Sequence, residues 1–226
     1  MIVILAEKPS VGRDIARVLG ATQKHDGYIQ GNGYIITWAF GHLVELVEPE
    51  GYDKAFKSWN LQSLPIIPEK FRLQVSSRKG VKKQYTLIKK LFKDAETIIC
   101  ATDAGREGEL IFRYIQELAG CTKKPAKRLW INSLTDSAIQ KGFSNLKPLS
   151  DYDNLSYAAK CRSQADWIIG LNATRGYTSQ HSHGRGVLSV GRVQTPILSL
   201  IVNRDQSIQQ FTPEDYWELW TKYRET

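Results

Sequence analysis

Two short apolar runs, each followed by acidic residues and then by an amphipathic stretch, constrain the fold of this chain more than any other feature. Ile2–Ala6 leads to Glu7, and Thr97–Ala101 leads into the segment TDAGREGE at Thr102–Glu109. Continuous apolar runs of this length are typical of strands that are buried on both faces. Strands that alternate with helices indicate a parallel sheet covered by helices. We therefore predict an α/β fold with a mostly parallel, doubly wound sheet.

The alternation continues to about residue 150, after which the pattern becomes helical. The predicted strands are Ile2–Ala6, Tyr28–Ile29, Tyr34–Trp38, Phe71–Val75, Thr97–Ala101 and Arg128–Ile131. The predicted helices are Val11–Leu19 (capped by Ser10), Lys79–Ala95, Glu107–Ala119, Thr135–Leu146, Asp151–Thr178 and Ser189–Phe211. This change predicts a first domain over residues 1–148 and a mainly helical, partial domain over residues 149–226.

The charge of the chain indicates an anionic partner. The net charge is +8 and the sequence pI is about 9.3, which favours nucleic acid first and an acidic membrane second. No run approaches the ~18 apolar residues that a membrane span needs, and the N-terminus does not resemble a signal peptide. The three cysteines form no CxxC pair, so we expect neither a disulfide framework nor a cysteine metal site. This cysteine usage is typical of a reducing, intracellular compartment.

The acidic residues at the strand ends predict a metal site. Ligands of open α/β sheets bind at the carboxyl ends of the strands, where Glu7 and Asp103 are expected, with Glu107 one helical turn further on. Carboxylates about 4 Å apart repel by ~4 kcal/mol at an effective dielectric near 20, so a cation is expected among them, and hard oxygen ligands suit Mg²⁺. Lys8 and Arg106 would then bind phosphate. The alternative is that the acids only begin a helix, where the helix dipole favours negative charge.

Several motifs resemble one known family. AEKPS at Ala6–Ser10 and ATDAGREGEL at Ala101–Leu110 resemble the Toprim domain of type IA DNA topoisomerases. The segments that are similar to the topoisomerase III branch of that family, in the same order, are FGHLVEL at Phe40–Leu46, QADWIIGLNATRGYT at Gln164–Thr178 and LSVGRVQTP at Leu188–Pro196. The resemblance implies a Rossmann-like Toprim fold followed by the first part of a helical domain that holds single-stranded DNA.

The resemblance also implies roles for individual residues. Glu7 corresponds to a glutamate that transfers a proton at the scissile phosphate, and Lys8 to a lysine that positions this phosphate. Asp103 and Glu107 match the first and last acids of the DxDxE metal motif, whose middle position is Gly105 here. With one carboxylate missing, we expect a single Mg²⁺ held by Glu7 and Asp103, with Glu107 as a direct or water-mediated ligand.

The second half of the chain is expected to bind single-stranded, underwound DNA. Arginine binds phosphate oxygens as a fork, while amide side chains contact sugars or bases. The residues to which the resemblance assigns DNA binding are Asn172, Arg175, Arg185, Ser189, Val190, Gly191, Arg192, Val193 and Gln194.

Family members break one DNA strand through a 5′-phosphotyrosine, pass another strand and reseal the break. Their tyrosine lies in a domain further along the chain, so we expect a monomeric N-terminal fragment of a DNA-associated bacterial cytoplasmic enzyme, inactive in cleavage without its downstream half. Two alternatives remain open: a stand-alone Toprim nuclease or primase-like enzyme, and a truncated DNA-binding module without catalysis.

Overall fold

A seven-stranded sheet forms the centre of the structure, a computed structural model that describes residues 1–224. The strands are β1 (Ile2–Ala6), β2 (Gln23–His25), β3 (Tyr28–Gly31), β4 (Tyr34–Trp38), β5 (Val44–Leu46), β6 (Leu73–Val75), β7 (Thr97–Ala101), β8 (Ala126–Arg128) and β9 (Lys147–Pro148). The central sheet has the order β2-β3-β4-β1-β7-β8-β9, and β5 pairs with β6 in a small second sheet. Strands β4, β1, β7 and β8 are parallel, and antiparallel strands extend the sheet at both edges. The predicted α/β class is confirmed.

Helices cover both faces of the central sheet. They are α1 (Pro9–Leu19), α2 (Val81–Asp94), α3 (Arg106–Leu118), α4 (Asp136–Ser144), α5 (Asp153–His181) and α6 (Gln194–Gln209). Helices α1 and α4 cover one face, where Ile15 and Ile139 pack on strand residues such as Ile4. Helices α2, α3 and α5 belong to the core on the other face, where Phe92 and Phe112 are fully buried. This arrangement leaves the carboxyl ends of β1 and β7 open.

Three predicted boundaries are wrong in ways that matter for the site. Helix α1 begins at Pro9 with Lys8 at the N-cap position, not at Val11 after a Ser10 cap, because proline fits the first turn of a helix. The predicted strand Arg128–Ile131 overlaps β8 only at Arg128. Helix α6 begins at Gln194, five residues later than predicted, because the preceding segment is held in an extended path by α5.

Residues 47–72, between β5 and β6, form an irregular segment that packs against α5. It contains three short 3₁₀ helices, Pro49–Gly51, Lys54–Lys57 and Leu61–Ser63. A fourth, Leu149–Tyr152, links β9 to α5; a domain division at residues 148–149 stays a prediction. Within residues 1–224, no helix combines the length and the apolar character that crossing a membrane requires.

Candidate active site and nucleic-acid interface

The carboxyl ends of β1 and β7 bring the predicted acids together. Ala6 pairs with Ala101 in the parallel ladder, so Glu7 and the Thr102–Asp103 segment leave the sheet side by side. Because both strands are buried from their second residue onward, the first positions able to carry charge at their carboxyl ends are those just beyond the strands. The strand register therefore determines which acids become neighbours.

Glu7, Lys8 and Asp103 contact one another directly. Glu7 Oε2 accepts a hydrogen bond from the backbone N–H of Asp103 at 3.1 Å, and Lys8 Nζ donates to Asp103 Oδ2 at 3.1 Å. The hydrogen bond to Asp103, its charge and then the charge of Glu7 raise the pKa of the Lys8 amine above its ordinary value. Lys8 is therefore a protonated, exposed cation at the edge of the site.

Glu107 takes part in a different set of contacts. It lies in the first turn of α3, with its Oε2 3.5 Å from His42 Nε2 and its Oε1 3.9 Å from Arg162 Nη1. Its carboxylate thus joins α3 to the segment before β5 and to α5. His42 therefore belongs to the same cluster as Glu107 and Arg162.

The donor set fits a hydrated cation better than a closed cage. Within the described part of the chain, no group of three or more His, Cys, Asp or Glu side chains is placed to hold a metal. Glu7 and Asp103 nevertheless supply two hard oxygen donors at adjacent strand ends, and Mg²⁺ is commonly held by one or two carboxylates while it keeps several waters. The predicted three-residue ligand set is not assembled in this structure, and Glu7 contacts Asp103 through the backbone N–H of Asp103.

A close backbone approach fixes the segment that carries Asp103. A Cβ atom on Gly108 would lie 2.1 Å from the carbonyl oxygen of Asp103, whereas a Cβ on Gly105 would meet no atom within 4 Å. The first turn of α3 can therefore pack on this segment only because residue 108 has no side chain. A side chain would fit at position 105, so packing does not explain why the acid of the family motif is absent there.

Beneath the site lies a buried ion pair that sequence reasoning missed. Arg128 and Glu109 are both fully buried, with Arg128 Nε 3.2 Å from Glu109 Oε2. Arg128 Nη1 donates to the carbonyl of Thr102 at 2.7 Å, and its Nη2 donates to the carbonyl of Asp103 at 2.8 Å. The guanidinium thereby fixes the backbone of residues 102 and 103, which carries the Asp103 carboxylate.

The second oxygen of Glu109 continues this network. Its Oε1 accepts a hydrogen bond from Arg113 Nε at 2.8 Å, and Arg113 Nη2 lies 2.8 Å from Asp153 at the start of α5. The sequence did contain a signal: Arg128 begins a predicted strand of the central sheet, and an arginine that becomes buried there needs an acidic partner. Glu109, the second glutamate of the GREGE segment at residues 105–109, is a candidate for that partner.

Two threonines of α5 hold the segment before α6 in an extended path. Thr178 Oγ1 accepts from the N–H of Leu188 at 2.9 Å and donates to its carbonyl at 3.3 Å. Thr174 Oγ1 accepts from the N–H of Val190 at 2.9 Å and donates to its carbonyl at 3.1 Å. Ser189, between them, is exposed. Because the backbone N–H and C=O groups of successive residues in an extended chain point in opposite directions, those of Ser189 face away from α5.

Arg192 is paired within the protein. Its Nε and Nη2 form a fork on the two carboxylate oxygens of Asp166, at 2.7 and 3.2 Å. The hydrogen bond from Arg192 lowers the pKa of Asp166, so the aspartate stays ionised. Val193 and Gln194 line a shallow cavity beside this pair, between α5 and the start of α6.

The remaining predicted DNA-binding residues divide into two groups. Asn172 and Arg175 hold the 47–72 segment: the Asn172 amide binds both the N–H and the carbonyl of Ile66, at 2.6 and 2.9 Å, and the nearly buried Arg175 donates to the carbonyl of Phe56. Arg185 is exposed in the turn between α5 and α6.

Comparisons with known proteins identify the family. Residues 2–134 match the Toprim domain family, and residues 150–226 match a family described as DNA topoisomerase. The chain belongs to the Toprim-containing DNA topoisomerases. The resemblance inferred from the strand-end motifs is thereby confirmed.

Similar topoisomerases show which part of such an enzyme this chain matches. DNA topoisomerase 3 of Bacillus subtilis strain 168 is 52% identical over 217 residues, which cover 95% of this chain and 29% of the relative. The enzyme of Bacillus licheniformis is 52% identical over 219 residues, covering 96% of this chain and again 29% of the relative. The chain matches the N-terminal part of topoisomerase 3 and spans about 29% of the length of these relatives.

A solved topoisomerase supports the fold. Full-length topoisomerase I from Thermotoga maritima superposes with a TM-score of 0.63 at 24% identity, covering 94% of this chain and 31% of that protein. Toprim domains bind divalent metal ions, in general Mg²⁺. The roles of the individual site residues of this topoisomerase chain stay predictions.

Proposed function

We propose that this chain supplies the acid-and-lysine centre and the first part of the single-stranded DNA groove of a topoisomerase 3. The complete enzyme would break one DNA strand through a 5′-phosphotyrosine, pass another strand and reseal the break. The observation that carries the proposal is the Glu7–Lys8–Asp103 cluster at the ends of two parallel strands, with contacts of 3.1 Å. Glu107, four residues after Asp103, lies 3.9 Å from Arg162 of α5, the helix that positions the 188–194 segment.

In this proposal Lys8 and Glu7 act on the scissile phosphate. Lys8 is protonated and exposed, so its amine can turn from Asp103 to a phosphate oxygen and stabilise the charge that develops there. Glu7 carries a carboxylate next to it, within reach of a proton that moves to or from the departing 3′-oxygen. The tyrosine nucleophile would come from outside this chain.

We assign the metal of the Toprim domain to Glu7 and Asp103. A bound Mg²⁺ would supply positive charge for the phosphate next to these two carboxylates. Glu107 is assigned a water-mediated position, since its carboxylate faces His42 and Arg162. Two protein carboxylates support one hydrated ion rather than two.

We assign single-stranded DNA to the exposed side of the segment 188–194. Ser189 is exposed, Arg192 presents a guanidinium, and Gln194 begins α6, where the positive end of the helix dipole favours an anion. Val190 and Gly191 keep the backbone in place, Val193 lines the adjoining cavity, and Arg185 is an exposed cation nearby. We leave Asn172 and Arg175 out of this set, because their polar groups bind residues 56 and 66.

The pairing of Arg192 with Asp166 provides the test. An oligothymidylate should bind with a log–log salt slope that falls by about 0.7 when Arg192→Ala removes one phosphate contact. Asp166→Asn should strengthen binding several-fold, because Arg192 then no longer has to give up an ion pair with Asp166 in order to bind a phosphate. Gln194→Ala should weaken binding without changing the slope. Fluorescence anisotropy between 25 and about 200 mM salt measures all three.

Two results would contradict this proposal. One is binding by the Arg192→Ala variant with the slope and affinity of the wild type. The other is Mg²⁺-dependent nicking of supercoiled DNA by the 226-residue chain alone, which would indicate a stand-alone Toprim nuclease.

A further inference from the structure

Helix α2 carries an unusual concentration of positive charge. Residues 79–94 contain six lysines and one acidic residue, Asp94, a net charge of +5 within a chain whose total is +8. The lysines are Lys79, Lys82, Lys83, Lys89, Lys90 and Lys93; Lys89 is half-buried and the others are exposed. The function proposed above uses none of them.

The lysines of α2 lie on one face. At 100° per residue, the five lysines from 82 to 93 fall within an arc of roughly 120°, along a length of about 16 Å. The apolar residues occupy the opposite side, where Tyr85, Ile88 and Phe92 are buried in the core. We call this surface, formed by Lys82, Lys83, Lys89, Lys90 and Lys93, the lysine face.

The chemistry of the lysine face suits a regular array of phosphates. Of its five lysines, Lys83 has an acidic partner, Asp26, at 2.6 Å, and both of those side chains are 81% exposed. The aromatic residues of α2 point into the core, so the face offers no ring on which an unpaired base could stack, as single-strand sites do. Lysine binds phosphate as a point charge and does not read bases.

The lysine face begins beside the candidate active site. In the first turn of α2, Gln84 Nε2 donates to the carbonyl of Trp38 at 2.7 Å, and Trp38 ends β4 level with Ala6 of β1. Just before the helix, Arg78 donates to the carbonyl of His42, whose ring faces Glu107. From there α2 leads away from the strand ends for about 20 Å.

We propose that the lysine face is a binding site for the phosphate backbone of double-stranded DNA next to the single-stranded segment in the site. The inference rests on the proposed function, because the duplex is the flank of the strand that the 188–194 segment holds. A rigid helix with five cations on one side can follow a duplex backbone, whose phosphates are fixed in space. The contact is independent of base sequence.

The experiment compares two quadruple variants of the 226-residue chain. The test variant carries Lys82→Gln, Lys89→Gln, Lys90→Gln and Lys93→Gln. The control variant loses the same charge at four exposed lysines outside α2, through Lys70→Gln, Lys127→Gln, Lys141→Gln and Lys147→Gln. Circular dichroism melts establish that both remain folded. The probes are a blunt duplex, a single strand of equal length and a duplex with a single-stranded tail.

The test variant should lose two to three units of the duplex salt slope, since each phosphate contact contributes about 0.9, and about tenfold in duplex affinity. Its affinity for the single strand should change by less than twofold. The tailed duplex should bind the wild type most tightly, because both surfaces are then occupied. The control variant should change duplex binding far less.

Three results would overturn the inference: equal losses in the two quadruple variants, an absence of duplex binding by the wild type, and a loss confined to the single strand. A fourth result would also overturn it, in favour of a membrane: the wild type binds phosphatidylserine vesicles, and the test variant loses this binding but still binds the duplex. The single-strand arm, repeated with Arg192→Ala, reports separately on the proposed function.

Discussion

At the scale of single residues, the contact between Lys8 and Asp103 controls the protonation of the lysine. Asp103 is the largest cause of the raised pKa of Lys8 and Glu7 a smaller one. A lysine pKa raised in the folded state stabilises the fold fully below its ordinary value of 10.5. That stabilisation is lost as the pH rises through the folded-state value. Lys8 therefore stays charged throughout the neutral range in which phosphate chemistry would occur.

Asp103→Asn should lower the pKa of Lys8 towards its ordinary value, because it removes both the ionic hydrogen bond and the nearest negative charge. Glu7→Gln should lower it less. An NMR titration of the Lys8 Cε resonance measures both shifts. Equal shifts in the two variants, or none, would show that Lys8 does not contact Asp103 in solution.

The two glutamates of GREGE offer a matched comparison. Glu109→Gln leaves the buried Arg128 without a counter-charge, which typically costs about 3–5 kcal/mol of unfolding free energy. Glu107→Gln changes a side chain that is 59% exposed and should shift stability by less than about 0.5 kcal/mol. Urea unfolding of both variants measures the difference. Similar losses would mean that the Arg128–Glu109 pair does not hold the Asp103 segment.

At the scale of elements, the sequence predicts best where the structure depends on local pattern. Strands β1 and β7 have the predicted bounds, because their runs of five and four apolar residues have few alternatives to a buried strand. The turn of the β3–β4 hairpin is also local, since Asn32 and Gly33 take the positive φ that such turns need. The adjacency of Glu7 and Asp103 followed from the parallel arrangement of the two strands.

Elements that depend on distant contacts could not be read from the sequence. Strand β5 is only three residues long and exists through its pairing with β6. The late start of α6 follows from Thr174 and Thr178, which lie 16 and 10 residues before the residues they bind. The hydrogen bonds of Asn172 to Ile66 join positions 106 residues apart. The sequence around Asn172 does not indicate that its side chain binds Ile66.

The threonine contacts predict a pattern of amide hydrogen exchange. Thr174→Val should deprotect the N–H of Val190 and leave that of Leu188 slow, whereas Thr178→Val should do the reverse. Each hydroxyl accepts one of these two N–H groups, so the variants serve as controls for each other. Mass spectrometry or NMR of the exchanged protein gives the result. Simultaneous deprotection of both amides in either variant would show that the segment is released as one unit.

At the scale of the whole molecule, the chain joins two polar surfaces, to which we assign parts of one substrate. The strand ends provide acids and a lysine, the 188–194 segment provides an extended backbone with a guanidinium, and Arg162 lies between Glu107 and Asp166, at 3.9 and 3.8 Å. This chain of alternating charges passes from α3 to α5 and reaches Arg192 through Asp166. Binding of a phosphate at one end should therefore change the electrostatic environment at the other.

The central claim is that Lys8 acts on the phosphate during strand cleavage. The direct test joins residues 1–226 to the part of Bacillus subtilis DNA topoisomerase 3 that lies beyond the matched region, and compares wild type with Lys8→Ala on a labelled single strand. Trapping of the covalent DNA–tyrosine product gives the cleavage rate, and anisotropy gives the affinity. We predict a cleavage rate about 100- to 1,000-fold lower in the variant, with affinity reduced only a few-fold. Cleavage at the wild-type rate together with weaker binding would contradict the claim and make Lys8 an ordinary electrostatic contact.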